Sequence, residues 1–263
     1  EIADGWRLQV MAEARKEADY AGDVPATRQV ASVEVTRRVK GPVLIALRGD
    51  ATHVNTRTAV TDGSSGALSS TEFRGRLALV IDNRDREYDT RKGSLLQGGV
   101  YAGSEEPSWY ALASGWLPLS TKTRITARVG ARMASSRTTD GIRMMPAWEN
   151  AFVVGGGPES NRALPVGSET NTKMLLVSAE IRHDLLTFPF AGVTLIGFVD
   201  GGRAYCDCDT LEDLSGVRSA PIGWTFGPGA GVAVRLLRSA VLTATVARTE
   251  HATRVYVSSG WSW

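Results

Sequence analysis

The stretch Arg-Ile-Thr-Ala-Arg-Val-Gly-Ala-Arg-Met, residues 124–133, decides the fold class of this chain. Its even-numbered positions carry mostly arginine and threonine, whereas its odd-numbered positions carry isoleucine, alanine, valine and methionine. Successive side chains of a β-strand point to opposite sides of a sheet, so this alternation predicts a strand with one apolar face and one charged face. The same pattern recurs on either side, for example at 6–15 and 73–82, and predicts an all-β chain.

Reading every alternating segment in this way predicts about twelve strands and no amphipathic helix. The approximate spans are 5–15, 28–39, 43–56, 71–83, 94–103, 108–119, 122–135, 172–184, 191–205, 224–237, 239–249 and 253–263.

The connections between these strands differ in length in a regular way. Long connections are expected at 16–27, 57–70, 136–171 and 206–223, and short ones at 40–42, 120–121, 187–190 and 238. The longer turn 83–93 breaks the pattern at the short-turn end. An even number of antiparallel strands with short turns at one end and long loops at the other predicts a transmembrane up-and-down β-barrel. We expect one barrel domain over residues 1–263, with an inward-folding loop at 136–171 and no periplasmic domain in this chain.

Composition is consistent with such a barrel and argues against other classes. The 263 residues are 43% hydrophobic and 22% charged, and no apolar run reaches the about 20 residues of a membrane-spanning helix. Barrel strands alternate and so leave no such run. The net charge of +2 is too small to indicate a nucleic-acid partner. The expected surroundings are the lipids of a bacterial outer membrane.

The end of the chain supports the membrane interpretation. The last strand reads Arg-Val-Tyr-Val-Ser-Ser-Gly-Trp-Ser-Trp, residues 254–263, and places Trp261 and Trp263 on its apolar face. Tryptophans at this position suit an interfacial aromatic girdle. An amphipathic last strand ending in an aromatic residue also resembles the targeting signal of outer-membrane barrels.

Five further motifs follow one another along the chain. They are Asp82-Asn83-Arg84-Asp85 with Thr90-Arg91-Lys92-Gly93; Gly155-Gly156 with Asn161-Arg162-Ala163-Leu164; Ser178-Ala179-Glu180-Ile181-Arg182; Phe198-Val199-Asp200-Gly201-Gly202; and Gly229-Ala230-Gly231 with Arg235. In this order they resemble the barrel of the bacterial outer-membrane assembly and translocation superfamily. This surface-antigen family includes the core subunit of the β-barrel assembly machinery and the two-partner-secretion transporters. The resemblance covers about residues 70–263.

The resemblance implies a barrel that inserts or transports polypeptide, with Gly155, Gly156 and Gly202 as the motif glycines. Two departures stand out. The family has glycine and an aromatic residue after the loop arginine, whereas this chain has Ala163 and Leu164, which predicts a looser fit. The family barrel usually has sixteen strands, so the chain is either a shortened member or part of a longer one.

Strand parity predicts the site independently of the family. Glu180 and Arg182 share the polar face of one strand, and Phe198 and Asp200 share that of the next. A buried carboxylate pair requires a cation, and Arg162 on the preceding loop offers a forked set of donors. We therefore expect Arg162 to bind Glu180 and Asp200 and so to set the shape of the lumen.

In the alternative arrangement Arg162 lies on an exposed loop. The carboxylates then pair with arginines of the lumen wall, namely Arg128, Arg182 or Arg235.

Catalysis has little support in this sequence. The three histidines are scattered, Cys206 and Cys208 lack further metal ligands nearby, and no nucleophile elbow occurs. We expect no enzyme, no metal and no cofactor.

Three functions remain open at this stage. The first is an assembly or translocation barrel with a polypeptide client and a weak seam between its first and last strands. The second is a small passive pore that favours anions. The third is an oligomeric anchor or scaffold, for which Gly99, Gly115 and Gly130 would allow close contact in a homodimer.

Overall fold

The computed structural model describes residues 5–18, 25–59, 65–86, 89–103, 107–134, 137–139, 142–144, 152–154, 161–163, 169–171, 173–205, 223–236, 240–249 and 253–259. Over these ranges the regular elements are strands. No helix in the described ranges is long and apolar enough to cross a membrane.

Twelve longer strands and four short ones make up this part of the chain. The strands before the long loop are β1 (Trp6–Ala18), β2 (Pro25–Lys40), β3 (Val43–Ala59), β4 (Ser65–Asp82), β5 (Gly93–Gly103), β6 (Ser108–Pro118) and β7 (Thr123–Ala134). Within the loop lie β8 (Arg137–Thr139), β9 (Ile142–Met144), β10 (Phe152–Val154) and β11 (Glu169–Asn171). The remaining strands are β12 (Lys173–Thr187), β13 (Ala191–Tyr205), β14 (Thr225–Leu236), β15 (Ala240–Arg248) and β16 (Thr253–Ser259).

The twelve longer strands form one sheet in the order β1-β2-β3-β4-β5-β6-β7-β12-β13-β14-β15-β16. Each strand follows its neighbour in the chain, apart from the insertion of the long loop between β7 and β12. The twelve strands that alternation predicted are therefore confirmed, with an up-and-down order. The short pairs β8–β9 and β10–β11 were not predicted, because strands of three residues are too short to show a period.

The chain divides into two compact units, Glu1–Ile81 with Gly98–Trp109, and Asp82–Gln97 with Tyr110–Trp263. The single-domain assignment stays a prediction. In the first unit Arg48 binds Asp50 at 2.6 Å on one face of β3, and Arg76 of β4 binds Glu34 of β2 on the same face. This is the charged face that the alternation predicted.

The second unit has an inverted pattern of burial. On β15, Thr243 and Thr245 are buried, whereas Leu242 and Val246 are exposed. On β12, Glu180 is 2% exposed and Ile181 is 49% exposed. A soluble sheet buries its apolar side chains and exposes its polar ones. The inversion is typical of strands whose outer face contacts lipid.

Candidate functional site

The site is built around three residues of the long loop, Asn161, Arg162 and Ala163, which we call the loop tip. Each of the three is fully buried, with 0% exposure. The side-chain amide of Asn161 donates a hydrogen bond to the carbonyl oxygen of Thr225 on β14 (2.9 Å) and accepts one from the backbone N–H of Ala163 (3.0 Å). These bonds satisfy polar groups of the loop tip at a place without water access.

Arg162 binds carboxylates of two neighbouring strands. Its Nε and Nη2 donate to the two oxygens of Asp200 on β13, at 2.6 and 2.8 Å, and its backbone N–H donates to Asp200 at 3.1 Å. Its Nη1 donates to Glu180 on β12 at 2.7 Å. The contact with Asp200 is the bidentate arrangement that a planar guanidinium favours.

The surrounding side chains complete a buried network that we call the tip cluster, consisting of Arg162, Glu180, Asp200, Arg182 and Phe198. Arg182 donates from Nε to the second oxygen of Glu180 at 2.7 Å. The guanidinium carbon of Arg162 lies 3.4 Å from the centroid of the Phe198 ring, close enough for a cation–π interaction. Two arginines thus balance two carboxylates, which limits the cost of burying all four charges.

The pKa of Arg162 shows which effect dominates at the loop tip. Burial is the largest single influence and lowers this pKa, but the hydrogen bonds that Arg162 donates to Asp200 and Glu180 and the charges of these two carboxylates together raise it above its usual value. A raised pKa means that the folded protein favours the charged guanidinium. This contribution to stability is present below the usual pKa of arginine and is lost only as pH rises through the raised value.

Glycines on β14 make room for the loop tip. A methyl group added to Gly227 would overlap the Cβ of Ala163, and one added to Gly229 would overlap the ring of Phe198. Ala163 belongs to a buried apolar cluster with Phe198 and Ala247. The departure from the family motif predicted a looser fit, but Ala163 is fully buried because position 227 lacks a side chain. Leu164 lies outside the described residues.

The remaining predicted site residues divide into three groups. Arg182 and Phe198 belong to the tip cluster, and Gly202 is buried on β13 opposite Leu176. Arg128 lies on β7 opposite Ser178 of β12. Arg235 forms an ion pair with Asp89, which is not a member of the tip cluster. Four predicted residues lie outside the described ranges, and so do the two cysteines: Gly155, Gly156, Trp261, Trp263, Cys206 and Cys208.

A second, partly buried network was missed at the sequence level. It contains Asp89 and Arg91 of the β4–β5 turn, Arg124 of β7, Asp184 of β12 and Arg235 of β14, and we call it the turn cluster. The sequence marked the β4–β5 turn as a motif and as unusually long for its end of the sheet. That length was the available signal, but it did not indicate which side chains turn inward.

The β4–β5 turn is held in shape by its own hydrogen bonds. One carboxylate oxygen of Asp85 accepts the backbone N–H groups of Arg91 (3.0 Å) and Lys92 (3.1 Å). Burial is the largest influence on the pKa of Asp85 and raises it, but the bonds from Lys92 and Arg91 and the charge of Arg86 lower it overall. The folded turn therefore favours the ionised carboxylate.

We expect Asp85→Asn to loosen this turn in a pH-dependent manner. At pH 7 the protection factors of the Arg91 and Lys92 amides should fall about fivefold, which corresponds to about 1 kcal/mol of hydrogen bonding. Because the folded pKa is lowered, the benefit of ionisation is present above the unfolded value and is lost as pH falls through the folded one. Hydrogen exchange should thus show the two proteins converging in acid. An equal difference at all pH values would contradict this assignment.

Within the described part of the chain, no group of three or more His, Cys, Asp or Glu side chains is arranged to hold a metal ion. The absence of a metal, a cofactor and an enzymatic activity stays a prediction.

Solved structures share this fold. The chain matches BamA from Haemophilus ducreyi, in a crystal structure lacking POTRA domains 1–3, with a TM-score of 0.65 and 12% identity over 97% of the chain. It matches CdiB from Escherichia coli (TM-score 0.58, 15% identity) and CdiB from Acinetobacter baumannii (TM-score 0.54, 14% identity), each over 96% of the chain. The chain therefore has the fold of these BamA and CdiB structures. This confirms the fold that the ordered motifs implied.

The match has limits in sequence and in length. The chain spans 58% of the BamA structure and 48% and 46% of the two CdiB structures. No protein-family model matches the chain, and no curated protein matches it.

Proposed function

We propose that this chain is the barrel of an outer-membrane protein that inserts polypeptide into the membrane or transports it across. In this proposal the loop tip, bound through Arg162, keeps the polar path along β12 and β13 closed in the resting protein. The BamA and CdiB folds support the class of protein. The burial and bonding of the loop tip support its role as the closing element.

One observation carries the role of the loop tip. Arg162 has 0% exposure and donates hydrogen bonds to carboxylates on both β12 and β13. These partners, Glu180 and Asp200, follow it in the chain by 18 and 38 residues. A loop that only connected two strands would leave such a side chain in water, because loops normally run over the surface. A buried charge network of this kind holds one specific arrangement, since breaking it leaves charges uncompensated.

The apolar face supports an outer-membrane location, which also fits the all-strand fold. Val255 and Val257 of β16 are 67% and 73% exposed, and Phe73 of β4 is 65% exposed. Side chains of this kind on strand after strand would be unfavourable in water. The partner of this face is lipid.

Conductance of the purified protein in planar bilayers tests the proposal. We expect small, flickering currents from the parent protein and larger, longer openings from Arg162→Ala, since the loop tip would leave its binding site. Arg48→Ala is the matched control, because Arg48 forms a half-buried pair with Asp50 on the charged face of the other unit. Similar currents from the parent and both variants would contradict the role of the loop tip.

The same recordings test the other two functions. A steady, anion-selective current from the parent would identify a passive pore. A protein that never conducts, even after Arg162→Ala, and that forms homodimers in detergent would identify a scaffold.

Handling of polypeptide requires a separate measurement. Proteoliposomes containing the parent protein should accelerate the insertion of a urea-denatured eight-stranded outer-membrane barrel, relative to empty liposomes of the same lipids. An equal rate in both would contradict an assembly role while leaving transport across the membrane to be tested by uptake of an unfolded polypeptide.

A further inference from the structure

The turn cluster has no role in the function proposed above, although it is as elaborate as the tip cluster. Asp89 is 7% exposed and adopts a positive φ of 54°. Among the described residues it is the one non-glycine with positive φ. Aspartate tolerates this left-handed region better than most residues, and such a conformation is maintained only where contacts around it require it. The turn is therefore built to present this side chain inward.

Asp89 connects two strands that are not neighbours. One of its oxygens accepts from Nη2 of Arg124 on β7 (2.8 Å), and the other accepts from Nη1 of Arg235 on β14 (2.9 Å). In the sheet β12 and β13 lie between β7 and β14. A single carboxylate on the β4–β5 turn thus spans four strands across the polar face.

Arg91 attaches the same turn to β12, one of the two strands between β7 and β14. It donates to Asp184 on β12 at 2.6 Å and to the carbonyl oxygen of Thr121 at 2.8 Å. Asp184 also accepts from Thr194 of β13 at 2.8 Å and lies 3.4 Å from Arg124. The turn is consequently bound directly to β7, β12 and β14, and Asp184 links it to β13.

The two clusters occupy different levels of the same polar face. Asp184 follows Glu180 by four residues on β12, which corresponds to about 13 Å along the strand. The tip cluster is contributed by the long loop between β7 and β12. The turn cluster is contributed by the β4–β5 turn, which lies at the opposite ends of the strands, the same end as the β6–β7 connection at residues 119–122.

We propose that the β4–β5 turn is a second closing element, in series with the loop tip. This inference rests on the proposed path along the polar face of β12 and β13. The loop tip closes the path at Glu180 and Asp200, and the turn closes it again at Asp184 through Asp89 and Arg91. Release of either element alone leaves the other narrowing the path, so a single release increases the current only in part and full passage requires both to move.

Conductance in planar bilayers tests this inference with four variants: Asp89→Asn, Arg162→Ala, the variant with both substitutions, and Arg86→Gln. Arg86→Gln is the control, because it removes a charge from an exposed position of the same turn. Asparagine keeps the size of aspartate but removes the charge that binds Arg124 and Arg235. We expect the double variant to pass at least ten times the current of either single variant, and Arg86→Gln to behave as the parent. Arg235→Gln releases the same carboxylate from β14 and replaces Asp89→Asn if that variant does not fold.

The outcomes separate failure of this inference from failure of the proposed function. If Arg162→Ala alone conducts as well as the double variant, the turn does not close the path and the inference is wrong, while the role of the loop tip stands. If Asp89→Asn alone conducts as well as the double variant, the elements are not in series and the inference is wrong. If no variant conducts, there is no path on this face, and both proposals are wrong.

Discussion

Replacing Asp200 with asparagine is expected to lower the free energy of unfolding by about 3–5 kcal/mol, the usual cost of removing one partner from a buried ion pair. Asp200 is 1% exposed and accepts three hydrogen bonds from Arg162, two from the guanidinium and one from the backbone. It also accepts the hydroxyl of Ser178 at 2.7 Å. Asparagine retains the shape but leaves Glu180 as the one carboxylate of the tip cluster, where it must balance both Arg162 and Arg182.

Unfolding in urea from detergent micelles, followed by tryptophan fluorescence, measures this effect. Asp50→Asn is the matched control, because the Arg48–Asp50 pair lies within one strand and its side chains are 25% and 11% exposed. Because water reaches this pair, we expect the loss from Asp50→Asn to be smaller than that from Asp200→Asn and closer to the about 0–1 kcal/mol of exposed pairs. A loss from Asp200→Asn as small as that of the control would show that the tip cluster contributes little to stability.

Gly227→Ala is expected to displace the loop tip entirely. The added methyl group would occupy the position of the Ala163 side chain and would also lie 3.3 Å from the carbonyl oxygen of Arg248. Overpacking alone costs about 1–3 kcal/mol, and a displaced tip also loses the bonds of Arg162 to Glu180 and Asp200. We therefore expect a loss of stability at least equal to that of Asp200→Asn, together with the increased conductance of Arg162→Ala.

A compensating substitution distinguishes this mechanism from general damage to β14. Ala163→Gly removes the methyl group that the new side chain meets, so the variant with both substitutions should recover most of the lost stability and the parent conductance. The contact with Arg248 remains and should limit the recovery slightly. If the double variant is less stable than Gly227→Ala, the two positions do not share one space.

The strands and the strand residues of the tip cluster could be predicted because both depend on a period of two. Alternation in a single sequence reveals which residues share a face, and Glu180 and Asp200 follow from it once β12 and β13 are neighbours. An arginine on the preceding loop then completes the charge balance. These steps require no knowledge of distant contacts.

The turn cluster could not be predicted in the same way. Asp89 lies in a turn, where no period applies, and its partner Arg235 is 146 residues away in the chain. The pairing also depends on the left-handed conformation at Asp89, which aspartate adopts without a distinctive sequence pattern. The close contact between Gly227 and Ala163 could not be predicted either. A glycine in a strand indicates that another group approaches closely, but it does not identify that group.

The shared space between Ala163 and Gly227 has a consequence for how this protein can change over time. The site limits mainly the combined volume of the two side chains, so the residue that fits at one position depends on the residue at the other. A lineage that acquires glycine at 163 becomes free to accept alanine at 227, whereas the reverse order passes through an intermediate with a displaced loop. Homologous chains should therefore show a small residue at one of these two positions wherever the other carries a larger one.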